Sequence, residues 1–456
     1  MIHTTEILNR ENFNILVVML LCGGTTLPKS SNAAVLADTP GLTALQSTTG
    51  AAIQTVCGGL APRNQITVNP QTEEQDLFNQ CNAIINTGNQ IQDDGATGNS
   101  LNLDNEQLGS ALQNVATEEI STPARISLST LSGQVAEINT HLAILHKVSQ
   151  GLGGGAAYDD GGLLSNRLSV FVNGVGGFGE IESTDREDAT DFYSAGVVFG
   201  VDYRFSDHFV AGLAGGYSHL DSDFQTSIDV AGGGIDADTY HVSVFSAYDL
   251  QDFYVDGNFT YGWNDYDLER RVVVLSQNPN STGGANRVAE SSPDGEQYST
   301  GFGFGYNYHH QAITIRPYAR LDYSHGNIDS YSENGAFGLN LSVNEQNFES
   351  LRTVAGTQLS FVSSHSFGVI IPQINFGWHH EFLNKSRAIN ARYSADFNNN
   401  TLAALTDKPD EDYFTLGFGV SSVLQGGIQL FFNYQSLLGY SNIDSHTFEA
   451  GMRIEF

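Results

Sequence analysis

Thr447-Phe448-Glu449-Ala450-Gly451-Met452-Arg453-Ile454-Glu455-Phe456 is the stretch whose reading decides the fold. Phe448, Ala450, Met452, Ile454 and Phe456 alternate strictly with Thr447, Glu449, Gly451, Arg453 and Glu455. Successive strand side chains point to opposite faces, so one face is apolar and the other is polar and charged. The same rule governs Phe253, Val255, Gly257, Phe259, Tyr261 and Trp263 against Asp256, Asn258, Thr260 and Asn264. It also governs Ile313, Ile315, Ala319, Leu321 and Tyr323 against Thr314, Arg316, Arg320 and Asp322. Ile428, Leu430, Phe432 and Tyr434 follow it too, with Phe431 as an exception. A soluble sandwich would alternate in the same way.

Loop lengths separate the two cases. Strands read at Leu168–Gly179, Asp191–Phe205, His208–Leu220, Asp238–Leu250, Asp252–Tyr266, Glu296–His309, Ala312–His325, Phe348–Val362, Phe367–Glu381, Asp412–Leu424, Gly427–Leu437 and Ser445–Phe456. Short turns at Ser206-Asp207, Gln251, His310-Gln311, Ser363–Ser366 and Gln425-Gly426 take turns with much longer loops. Short turns on one rim and long loops on the other are the plan of an outer-membrane barrel. The expected fold is therefore an all-β transmembrane barrel of about twelve antiparallel strands.

Composition agrees. Charged residues are only 15%, Gly number 49 and aromatics reach 11%. No run is long and apolar enough for a spanning helix. The net charge of −32 argues against nucleic acid as a partner.

Upstream of Gly151 the period changes. Leu128, Leu131, Val135, Ile138, Leu142 and Leu145 recur at threes and fours, which predicts a helix starting at Ala124 after the break at Pro123. Its apolar face is narrow, interrupted by Ser129, Thr130, Ser132 and Thr140, and it stops at Gly151–Gly155. Leu108, Leu112 and Val115 predict a preceding helix, and Thr72–Ile85 another. Ile15–Leu21 followed by Ser31-Asn32-Ala33 has the pattern of a signal peptide, although Glu6 and Glu11 dilute the charge of Arg10. Removing it with Cys22 leaves Cys57 and Cys81, an even pair suited to an oxidising compartment. Such a bridge contributes about 3 kcal/mol, mainly by restricting the unfolded chain. The division expected is 1–33 signal peptide, 34–104 head, 105–162 linker with a pore helix, and 163–456 barrel.

Arg316–Tyr323, Ile328–Gly335, Phe376–Phe382, Asp412-Tyr413-Phe414 and Leu438-Gly439-Tyr440 resemble the autotransporter β-domain family, and the resemblance runs through Leu168–Phe456. Ala111–Ile120 is similar to the linker that precedes such barrels. The resemblance implies an outer-membrane translocator that exports or displays its own N-terminal segment. It implies that Ala124–Gln150 threads a pore lined by Arg316, Arg320, Asp322, Arg352, Glu449, Arg453 and Glu455. Arg453-Ile454-Glu455-Phe456 is similar to the aromatic-ended strand read by the outer-membrane assembly machinery, with Phe456 as the signal. Periplasmic chaperones, membrane lipid and lipopolysaccharide are the other implied partners, around a monomeric barrel. The family often carries a β-helical or esterase passenger; Ala34–Asp104 is too short for either and has no repeats.

No catalytic residue, cofactor or metal is expected. The sequence contains neither G-x-S-x-G nor H-E-x-x-H. Gly174–Gly179 matches G-x-G-x-x-G, but it lies within a strand, as does Gly301–Gly305, where glycine makes room for a neighbour. His309-His310 and His379-His380 cannot chelate as pairs, because adjacent strand residues diverge. Glu180, Glu182, Asp185, Glu187, Asp188 and Asp191 form an acidic loop able to attract Ca²⁺, though a solvated loop is the simpler reading. Asn139 is placed like the asparagine of self-cleaving pore helices, but one asparagine in a polar helix is ordinarily lumen-facing. Two further functions stay open: a non-enzymatic surface barrel whose loops act as an adhesin, and an enzyme with an unrecognised site in the head or loops.

Overall fold

Alternation becomes inside against outside of a closed wall. The computed structural model describes residues 35–95, 97–116, 118–147, 167–184, 186–226 and 232–456. The expected signal peptide, Cys22 and the Gly151–Gly155 stop lie outside the described residues. Twelve strands form the wall: β1 Leu168–Ile181, β2 Thr190–Ser206, β3 Phe209–Phe224, β4 Gly233–Leu250, β5 Phe253–Val274 and β6 Asp294–Tyr306. They continue with β7 Ile313–Ile328, β8 Gln346–Phe361, β9 Gly368–Glu381, β10 Asp412–Leu424, β11 Ile428–Leu438 and β12 Ile443–Glu455. Every strand pairs antiparallel with its sequence neighbours, and β12 returns to β1 from Ser169↔Glu455 to Ile181↔Ile443. Closure leaves no free edge, which is what a hydrocarbon environment demands.

The outward row carries the apolar side chains. Phe259, Trp263, Ile315, Leu321, Phe432, Phe448 and Met452 are all exposed, whereas Asp256, Asn258, Thr260, Arg316, Asp322 and Arg453 are buried toward the lumen. Phe431 breaks the sequence pattern because it turns inward over Gly451, where a Cβ would stand 2.4 Å from its ring. The glycines of β6 do the same for other side chains: Gly305 receives the Tyr254 ring, and Gly303 receives Arg320 and Asp256. None of them faces a helix start, as a phosphate cradle would require.

Among the described residues, four α-helices precede the wall: α1 Ala44–Leu60, α2 Glu73–Ile91, α3 Asn105–Asn114 and α4 Thr122–Lys147. α1 is not visible in the sequence pattern, where Gly50, Gly58 and Gly59 dilute it. A capping box between Thr43 and Gln46 starts it, and Gly50 lets Leu36 pack against its backbone. α2 runs past the expected Ile85. Pro123 sits in the first turn of α4 rather than ahead of it, a position that needs no N–H. A disulfide joins Cys57 of α1 to Cys81 of α2, with Cα atoms 5.7 Å apart.

The long connections are themselves structured. Ala285–Ser291 pairs with the outer part of β5, from Leu268↔Ser291 to Val274↔Ala285. Tyr331–Ser332, Leu341–Val343, Ala388–Tyr393 and Leu402–Leu405 form a second, four-stranded sheet above the long-loop rim. α1, α2 and α3 bury Ile53, Val56, Leu60, Leu77, Ile84, Leu108 and Leu112 in one core with Val272, Val274, Leu339, Leu341, Ile389 and Tyr393 of these connections. α3, expected as part of the linker, therefore packs within the head, and the head has no separate core of its own.

Candidate functional site

The lumen is where sequence placed the polar row, and α4 occupies it. Its N-terminal end packs Ala124 and Ile126 among Leu220, Phe224, Ile235, Tyr266, Ile328 and Phe348 at the long-loop rim. Its C-terminal half packs Ile138, Leu142 and Leu145 on Phe171, Val198, Val210 and Phe245 toward the short-turn rim. The narrow apolar stripe is thus matched to an apolar strip of wall, not to lipid.

Polar side chains of α4 meet the wall along its whole length. Thr140 donates to Glu449 at 2.8 Å, and Asn139 accepts from Asn258 at 3.0 Å. Both partners belong to the polar row of the wall. Arg316 reaches α4 through the carbonyl of Ala143 at 3.3 Å, and it also donates to Asn307 and Gln358. Arg320 pairs with Asp256, and its other arm lies 3.6 Å from Asp322. Arg453 pairs with Asp202 at 2.9 Å and stands 3.5 Å from Glu455. Asn139 is engaged with the Asn258 amide and stands in no nucleophile–base arrangement.

Two histidines that sequence reading passed over hold the helix most directly. His141 stacks on Phe171 at 3.7 Å, with Nε2 3.2 Å from Asp202. His146 places Nδ1 2.8 Å from Asp249 and Nε2 3.2 Å from Asp256. Their spacing gave no signal, since residues five apart lie about 140° from one another round a helix; both are buried because the wall surrounds α4. Facing the remaining wall, α4 leaves a cavity of about 1110 Å³ that reaches the long-loop rim.

The other candidates disperse. His379 points inward to Thr415 and His380 outward to Asp412. Glu187 pairs with Arg125 and accepts from the Asp407 amide, while Glu180 and Asp191 share Gln225, so these acidic residues do not converge; Asp185 lies outside the described residues. His380, Glu411 and Asp412 form the one metal-like grouping among the described residues, and Asp412 there accepts from Trp378. Residues 35–121 contain no histidine to serve as a catalytic base.

A twelve-stranded wall with a helix through it invites comparison with known proteins. The autotransporter β-domain family matches residues 170–435. The chain belongs to this family. Its fold is that of the translocator domain of the autotransporter NalP from Neisseria meningitidis, with a TM-score of 0.50 at 18% identity, covering 72% of this chain and 98% of that one. The esterase EstA of Pseudomonas aeruginosa is 27% identical over 198 residues, 41% of this chain. Outer membrane protein A of Rickettsia conorii is 25% identical over 286 residues, 60% of this chain. The chain spans only 28% of EstA and 13% of the Rickettsia protein. The autotransporter β-domain is an outer-membrane translocator barrel, and the esterase activity in EstA's name is said of EstA.

Proposed function

We propose that this autotransporter carries its own N-terminal head through the barrel and keeps it at the cell surface as a docked cap. One observation supports the reading above others. α4 crosses the lumen without a break, and the head above it completes its core with residues of the barrel's long connections. A passenger destined for release would bury its apolar surface within itself. Arg287 of the barrel connections grips Asp76 of α2, and Tyr393 donates to the Val115 carbonyl at 3.0 Å, so polar bonds as well as the shared core join the head to the barrel. Residues 35–121 offer no histidine for the serine–histidine arrangement of an esterase.

The test uses an epitope inserted beside Val68, which is 82% exposed on the α1–α2 loop. Intact cells should bind the antibody and keep the full-length chain in the outer membrane after washing. Recovery of the epitope in the medium, or access only after the outer membrane is permeabilised, would overturn the reading. Assembly is proposed to depend on the exposed terminal Phe456, recognised with the apolar row of β12 by the outer-membrane assembly machinery after passage with periplasmic chaperones. Lipid and lipopolysaccharide are proposed to cover the outward aromatic row, around a single barrel.

A further inference from the structure

The cavity beside α4 is lined by both carboxylates and cations, and five of its cations stand without a carboxylate partner. Arg316, Arg352, Lys385, Arg387 and Lys408 all line it. Among the described residues, none of the five has a carboxylate within 4 Å, unlike Arg125 and Arg320 in the same cavity. Arg352 is the clearest case. Its Nη1 donates to the Tyr413 hydroxyl at 3.1 Å, while its Nε is buried with no partner. Asp322 and Glu381 stand opposite it on the neighbouring strands, but both are turned elsewhere. Glu381 accepts from Ser350 and from the amides of Leu351 and Leu383. Asp322 lies toward Arg320. Beside Arg352, the His379 ring lies flat on Tyr413 at 4.8 Å, and its Nδ1 is a second buried nitrogen without a partner.

A guanidinium nitrogen buried without an acceptor, as Arg352 Nε is, is costly unless something compensates it. Arginine recognises planar or tetrahedral oxyanions through paired N–H groups. We infer that the lumen groove beside Arg352, His379 and Tyr413 is a binding site for a small oxyanion of the phosphate or carboxylate class. Lys385, Arg387 and Lys408, on the long connection after β9, line the same cavity alongside Asp407 and Asp410 and add positive charge for such a solute. The strands wall the site off from lipid, so the ligand is a free solute rather than a headgroup.

The experiment is calorimetric titration of the full chain in detergent micelles with inorganic phosphate at low chloride. One saturable site is expected, weakened about tenfold or more by Arg352→Gln through loss of a charged hydrogen-bond donor. Arg271→Gln, exposed on β5 outside this cavity, should bind as the parent chain does. Heat-modifiable mobility checks that each variant is folded. Should Arg352→Gln not fold, the loop pair Lys385→Gln and Lys408→Gln tests the same site, again with weaker binding expected. No saturable heat, or parent-like binding in the variants that remove these charges, would show a hydrated lumen only and overturn the proposal. Competition by phosphatidylglycerol in nanodiscs would overturn the lumenal placement.

Discussion

Glu119 shows how much one side chain decides at the join between head and barrel. It lies in the short turn ahead of α4, buried under the head. Burial, with repulsion from Asp188 second, lifts its carboxyl to about 8, and Arg270 opposes the rise only in part. A carboxyl raised above its ordinary 4.5 binds its proton more tightly folded than unfolded. Its stabilisation is therefore complete below 4.5 and is lost as the pH climbs through about 8. The head should be held most firmly in mildly acid medium and loosen across that window. Thermal melting of the helical circular dichroism should give a midpoint that falls between pH 5 and 8. Glu119→Gln, neutral throughout, should flatten the dependence. A parent midpoint that does not move over this range would remove Glu119 from the account. Glu333 tests the same join from the other side. It takes two hydrogen bonds from Arg270 and one from the Leu341 amide, and both side chains are only 5% exposed. Glu333→Ala strands a buried guanidinium, and such a loss typically costs about 3–5 kcal/mol. The head should melt well below the barrel in this variant, while Arg271→Ala, exposed nearby, should change little.

The elements differ in how plainly they were written. Barrel strands were legible because two environments, lipid and lumen, impose opposite chemistry on alternate residues; Phe448 and Glu449 could not exchange places. The inward-facing Phe431 was unreadable for the same reason, since the glycine that accommodates it belongs to the next strand. α4 was legible as a helix, and its placement in the pore followed from its narrow stripe. Its partners were not, because Asp202, Asp249 and Asp256 meet His141 and His146 only once the strands close. α1 and the loop sheet were illegible because their apolar residues pack against each other across some 200 to 350 residues of chain, leaving no local period. At the C-terminal element, β12 pairs with both β11 and β1, and the Phe456 amide donates to the Leu168 carbonyl at 2.8 Å. That bond uses only backbone, whereas the Phe456 ring is exposed. Replacing Phe456 by Ala should therefore leave the finished barrel intact but lower the amount inserted in cells. Heat-modifiable mobility measured beside total yield separates the two effects. Equal insertion of parent and variant would deny the ring its role in assembly.

At the scale of the whole molecule, lumen, helix and head form one blocked passage. Barrel width grows roughly linearly with strand number, and about eight strands just hold their own side chains, so twelve leave space for one helix. α4 takes that space asymmetrically. It packs mainly against the wall from β3 to β8, touching β1, β2 and β12 at Phe171, Asp202 and Glu449, and leaves a cavity of about 1110 Å³ beside it. The chain with its helix in place should thus conduct poorly rather than not at all. Removing residues 35–147 would take away the apolar stripe opposite Phe171 and Phe245 and free Glu449, Asn258, Asp202 and Asp256 to water. Asp202 and Asp256 retain Arg453 and Arg320 as partners, so the strands have no reason to collapse inward. Single-channel recordings in planar bilayers should show a conductance several-fold above that of the chain that keeps its helix, in a barrel whose heat-modifiable mobility is unchanged. Equal conductance with and without residues 35–147, in folded protein, would mean that the helix does not obstruct the passage, and the argument for threading would fail with it.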